Sequence, residues 1–92
     1  MMPIRFLEEA EADLQGIVGW YEEVAPEALG NILSDIFRTI DRLSRYPRSG
    51  MRMPGRKYRR VTTIKYHFKV VYEIGPGLIL ILGIYRYQDR EH

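Results

Sequence analysis

Eight residues between positions 48 and 69 are basic, namely Arg48, Arg52, Arg56, Lys57, Arg59, Arg60, Lys65 and Lys69, and no acidic residue interrupts them. A block of one sign holds a standing positive potential that attracts a polyanion or an acidic peptide. The competing reading is a solvated surface with no partner at all. A second group of candidates closes the last apolar run of the chain, where Tyr85, Arg86, Tyr87 and Gln88 bring one guanidinium and two phenols to a single rim. A guanidinium grips phosphate oxygens through a two-pronged fork, and a phenol hands over a proton or stacks on a base. The other candidates are weaker. His67 lies between Lys65 and Lys69 on the polar face of a strand pattern and reads as a solvated histidine, and His92 is terminal. Glu8, Glu9, Glu11 and Asp13 crowd the start of a helix pattern, where they complement its positive end, so they are not taken as a metal or acid/base cluster. No metal and no cofactor is expected.

The elements that must carry these groups follow from periodicity. Tyr66, Phe68, Val70, Tyr72 and Ile74 alternate with Lys65, His67, Lys69, Val71 and Glu73, which predicts a half-buried strand. The turn Gly75-Pro76-Gly77 joins it to residues 78–84, apolar on both faces apart from Gly83, as suits a strand in the middle of a sheet. A preceding strand is expected over residues 58–64, which completes a three-stranded meander, and residues 47–57, with Pro47, Ser49, Gly50, Pro54 and Gly55, read as a loop.

Upstream, residues 3–7 form a short strand candidate with Ile4 and Phe6 on one face. Residues 8–24 read as a helix in which Ala10, Leu14, Ile17, Val18 and Tyr21 recur at three- and four-residue steps, and Trp20 is expected to pack in the core beside Tyr21. Gly16 and Gly19 cost helix propensity there, which a close approach by the next helix would explain. Pro26 suits the first position of a second helix, whose stripe of Leu29, Leu33, Ile36, Ile40 and Leu43, widened by Ile32 and Phe37, runs to the stop at Tyr46-Pro47. The short connection makes the two helices an antiparallel hairpin. The expected class is α+β: an N-terminal strand, a helical hairpin and a three-stranded antiparallel meander, with the helices on one face of a small, mostly antiparallel sheet and cations gathered on the other.

Composition sets the outer bounds. Ninety-two residues make one domain, residues 1–92, with a single modest core. The chain has no cysteine, which excludes disulfides and thiolate metal sites. The net charge of +2 conceals −5 over residues 1–47 and +7 over residues 48–92. The N-terminus turns acidic within eight residues, and no apolar run approaches the roughly 20 residues of a membrane helix, so a cytoplasmic, non-membrane domain is expected.

The order of these pieces resembles the RelE/ParE superfamily of toxins from type II toxin–antitoxin systems, including its plasmid-stabilisation members. The residues that carry the likeness are Ala12-Asp13-Leu14 through Trp20-Tyr21-Glu22-Glu23, Pro26, Leu43 with Pro47, Arg59-Arg60, the strand from Tyr66 to Tyr72, and the strand from Ile79 to Ile84 with its polar tail. The resemblance implies a growth-arresting toxin silenced by an antitoxin with an acidic or amphipathic segment, for which Arg48, Arg52, Arg56, Arg59, Lys65 and Lys69 would be the binding set. It also implies one of two targets. ParE-like members bind DNA gyrase without being enzymes, and this is the reading adopted. The alternative is a RelE-like, ribosome-dependent and metal-independent mRNA endoribonuclease. For that chemistry Arg59 or Arg60, Arg86 as phosphate clamp, Tyr87 as proton donor or stacking group, and Lys57 as proton acceptor match loosely. A third reading, outside the family, is a non-toxic nucleic-acid-binding module that uses the same basic strip for phosphates.

Overall fold

The computed structural model describes residues 1–86. Strand β1 (Ile4–Phe6) leads into helix α1 (Glu8–Val24); a single 3₁₀ turn (Pro26–Ala28) precedes helix α2 (Leu29–Arg45). Four strands follow: β2 (Met51–Arg52), β3 (Tyr58–Thr62), β4 (Lys69–Gly75) and β5 (Leu78–Tyr85). They form one sheet in the order β1-β5-β4-β3-β2, in which β1 runs parallel to β5 and the other pairs are antiparallel. The class is α+β, as the sequence implies.

The doubly apolar β5 lies between β1 and β4, the central place its sequence implies, while its burial alternates, with Ile79 and Ile81 in the core and Leu78, Leu80 and Leu82 half-buried. The core forms where Ala10 and Ile17 of α1 and Ile32, Ile36, Ile40 and Leu43 of α2 meet Val70, Tyr72, Ile79, Ile81 and Ile84 of the sheet. Gly83 stands opposite Val71 and Ile81 opposite Tyr72, so Leu82 is an extra residue in β5. This bulge switches the core-facing parity from Ile79 and Ile81 to Ile84. At the hairpin between β4 and β5, Pro76 presets its φ and Gly77 sits at φ 72°, a left-handed value that glycine adopts without strain.

Five expectations are corrected. The 47–57 loop contains β2, a two-residue edge strand whose Met51 and Arg52 pair with Arg60 and Arg59. Pro26 heads the 3₁₀ turn, and α2 starts only at Leu29. A Cβ at Gly16 or Gly19 would meet nothing within 4 Å, so no close helix approach accounts for these glycines. Trp20 is 50% exposed, while Tyr21 takes the inward position and sets its ring against Phe68.

The fifth concerns Lys65, Tyr66 and His67, which lie outside β4 in a turn between β3 and β4, with His67 at φ 60°. The cause is Asp35, on the buried face of α2. Its carboxylate accepts the backbone N–H of Tyr66 at 2.7 Å and of Lys65 at 3.2 Å, which removes both donors from any strand ladder. The turn closes through Thr63, whose N–H donates to the Phe68 carbonyl at 2.8 Å and whose hydroxyl accepts from the Phe68 N–H at 2.9 Å. Burial raises the Asp35 pKa, but the Tyr66 N–H, the Thr63 hydroxyl, the Lys65 N–H and the Lys65 charge outweigh it, and the net shift is below the ordinary 3.8.

Candidate functional site

The site begins with a buried phenol. Tyr72 is fully enclosed, and its hydroxyl donates to the Pro47 carbonyl at 2.6 Å and accepts from the Gly50 N–H at 2.9 Å. Burial pushes this phenol above its ordinary 10.0 against the opposing pull of the Gly50 N–H, the Arg59 charge and Ser49, so at neutral pH it keeps the proton it donates. Gly50 has to be glycine, because an added Cβ would stand 2.6 Å from the Tyr72 hydroxyl oxygen. Arg59 adds a third tie. Its Nη1 donates to the Gly50 carbonyl at 3.1 Å and reaches the Arg48 carbonyl at 3.4 Å. Together these bonds fasten residues 47–50, the link from α2 to β2, onto the sheet.

That fastening brings cations together. Arg48, Arg52, Lys57 and Arg59 line one pocket of about 390 Å³ with Glu73 and Ile74. A second hollow of about 620 Å³, lined by Met2, Tyr46, Pro47, Arg48, Ser49 and Ile74, shares Arg48 and Ile74 with the first. The two therefore form one groove, apolar at one end and cationic at the other. Its position corrects the expectation that cations gather on the face away from the helices. Arg52 pairs with Arg59 and Arg59 with Tyr72, so their side chains share the side of the sheet on which Tyr72 is buried. The groove is thus a rim of the helix-covered face, reached at the strand ends that the helices leave uncovered.

The remaining cations go elsewhere. Arg56 is exposed in the tight turn before β3, where its N–H donates to the Met53 carbonyl. Arg60 pairs with Val71 on the open face. Lys65 is in the turn held by Asp35, and Lys69 pairs with Tyr85, both at the opposite end of the strands. Of the expected binding set, the structure unites Arg48, Arg52 and Arg59 and separates Arg56, Lys65 and Lys69 from them. The nuclease candidates are divided too. Lys57 precedes the Tyr58–Glu73 pair and Arg86 follows the Tyr85–Lys69 pair, a separation of about 20 Å at strand rise. Tyr87 lies outside the described residues.

Arg86 belongs to a different corner, with its guanidinium carbon 4.9 Å from the centre of the Trp20 ring. Both line a cavity of about 310 Å³ between α1 and β5, along with Asp13, Gly16 and Ile84. Here β1 has ended, and the Ile84 N–H donates instead to the Asp13 carboxylate at 3.0 Å. Asp13→Ala should therefore cost about 1 kcal/mol through that orphaned donor. Thermal unfolding should show it as a fall of about 5 °C in Tm.

A family model described as the ParE toxin of the type II toxin–antitoxin system parDE matches residues 4–90. The chain belongs to the ParE toxin family. Among solved structures, a chain of the chromosomal ParDE toxin–antitoxin system from P. aeruginosa is similar, with a TM-score of 0.80 at 24% identity over 96% of this chain and 98% of that one. At that identity the likeness speaks for the fold. No curated protein matches the sequence.

As a ParE-family toxin, the chain holds functional candidates that the sequence pattern did not single out. Tyr46 and Pro47 read as a helix stop and the start of a loop, Ile74 reads as one more apolar position of a strand, and Met2 is given no role. Their meeting depends on two long-range contacts, the Tyr72 hydroxyl on Pro47 and the Met2 N–H on the Ser44 carbonyl at 3.0 Å. Neither leaves a local signature. For Trp20 the signal was present, since alternate members of the α1 stripe already filled the core.

Proposed function

We propose that this ParE-family chain arrests growth as a non-enzymatic toxin by binding DNA gyrase in the cytoplasm, and that a cognate antitoxin neutralises it. Membership of the ParE family supports the toxin reading. The observation that carries the choice of mechanism is the division of the cations. Metal-free RNA cleavage needs a proton acceptor, a proton donor and a fixed positive charge within reach of one phosphate. Lys57 and Arg86 stand at opposite ends of the strands, about 20 Å apart, which suits that chemistry poorly. Inhibition by binding asks only for a surface of fitting shape and charge.

The deciding experiment compares DNA supercoiling by purified gyrase with mRNA integrity on translating ribosomes, each with the purified chain added. The expected result is lost supercoiling and intact mRNA. Cleaved mRNA that becomes resistant when Arg86→Ala and Tyr87→Ala are introduced together would reassign the chain to the RelE-like nucleases.

A further inference from the structure

We propose that the groove lined by Tyr46, Pro47, Ile74, Arg48, Arg52 and Arg59 binds a free nucleoside triphosphate, with the base in the apolar hollow and the phosphates among the arginines. This site goes beyond the toxin reading and does not depend on it.

Charge speaks for the phosphates. Among the described residues, none of Arg48, Arg52, Lys57 and Arg59 forms an ion pair, although all four line the same pocket. Positive charge concentrated in this way suits a short chain of phosphates, which carries several negative charges on neighbouring atoms. The Nη1 of Arg59 is spent on the Gly50 and Arg48 carbonyls, which holds the guanidinium in place, and its other nitrogens have no protein partner among the described residues. A guanidinium fixed along one edge still offers phosphate oxygens a fork along another. Glu73 does not oppose them from the same side. It pairs with Tyr58, two residues along β3 from Arg60, so its side chain stands with Arg60 on the open face while Arg59 faces the other way.

Shape and polarity speak for the base. The neighbouring hollow presents Met2, Pro47, Ile74 and a Tyr46 that is 63% exposed, and it shares Arg48 and Ile74 with the cationic pocket. An exposed phenol ring is a platform on which a planar base stacks. Sites for small ligands combine these features, a mainly apolar hollow with a few polar groups at one end. The walls are also pre-set. Tyr72 and Arg59 bond the backbone of residues 47–50, and the Met2 N–H is bonded to the end of α2, so little protein ordering is left to offset binding. A nucleic-acid strand fits less well. It needs cations spaced along its path, whereas Lys65 and Lys69 lie at the far end of the strands and Arg60 on the open face.

The test is calorimetric titration of the full chain with ATP, adenosine, tripolyphosphate and a single-stranded DNA of about 20 nucleotides. ATP should bind at least about tenfold more tightly than adenosine or tripolyphosphate, because it alone fills both halves. Arg48→Gln with Arg52→Gln should weaken ATP at least about tenfold. Tyr46→Ser should weaken ATP about fivefold or more and leave tripolyphosphate within about twofold. Arg38→Gln, on α2, should leave ATP within about twofold. All four substituted residues are exposed, and thermal unfolding checks that each variant keeps its fold.

No binding of ATP would overturn the proposal. So would tripolyphosphate that binds as tightly as ATP, which would reduce the groove to a surface that attracts any polyanion, or ATP affinity indifferent to the Tyr46 and arginine substitutions. DNA that binds more tightly than ATP and loses affinity with the same arginines would give the groove to nucleic acid and overturn it as well. Neither growth arrest nor gyrase inhibition enters these titrations, so the toxin reading stands or falls separately.

Discussion

Asp35→Ala is expected to lower the unfolding free energy by about 3 kcal/mol, since truncation strands two backbone donors and a hydroxyl that the carboxylate now satisfies. In a domain of this size that is a fall of roughly 15 °C in Tm. The loss is not confined to one hydrogen bond. Asp35 ties α2 to the 63–68 turn by hydrogen bonds, and the turn sets where β4 starts and hence which residues of β4 face the core. Asp35→Asn keeps the shape and one acceptor oxygen and should cost less, with a pH signature of its own. The folded-state pKa of Asp35 lies below its unfolded value, so its contribution is fully present above about pH 4 and fades as pH falls through the folded pKa. Chemical denaturation of wild type and Asp35→Asn should therefore show a gap that is constant from pH 5 to pH 7 and narrows below about pH 4. A gap unchanged at pH 3 would mean that the charge of Asp35 is not what holds the turn.

The second large effect is expected at the junction of Tyr72 with the 47–50 link. Tyr72→Phe keeps the ring and removes the hydroxyl, leaving the buried Gly50 N–H and the Pro47 carbonyl without their shared partner, at a cost of about 2 kcal/mol. Gly50→Ala acts on the same spot by overpacking. Its Cβ would sit 2.6 Å from the phenol oxygen, 2.7 Å from a ring carbon and 3.0 Å from the Arg60 carbonyl, and the displacement should also cost about 2 kcal/mol. Because both changes loosen one contact, the double variant should lose less than the two singles together. The clash with the ring carbon survives in Tyr72→Phe, so the relief is partial. These variants also test the groove without touching its charges. If Arg48 is positioned by the link, both should weaken ATP binding while leaving the net charge unchanged, whereas equal binding with lowered Tm would show that the cations act through their potential alone.

Much of this architecture is legible in local pattern. The three- and four-residue recurrence of apolar positions places both helices, and the loss of alternation over residues 78–84 marks β5 as a central strand, because burial on one side or both leaves a period in the sequence itself. The imbalance of charge between the two halves is likewise a property of composition and needs no coordinates.

Three-dimensional pairing decided the rest. Lys65, Tyr66 and His67 continue a flawless strand alternation, yet a carboxylate 30 residues away claims the Lys65 N–H and holds them in a turn. The parity switch at Leu82 and the edge strand at Met51 and Arg52 also depend on partners distant in the chain. The cations show the same division. Their sign and their block are properties of composition, but strand register sent Arg59 to the helix side and Arg60 to the other, and one buried phenol drew Arg48 beside Arg59 while Lys65 and Lys69 stayed at the far end. Periodicity records which side of its own element a residue faces. Which residues from different elements share a pocket is set by pairing and long-range hydrogen bonds, and these leave no local trace.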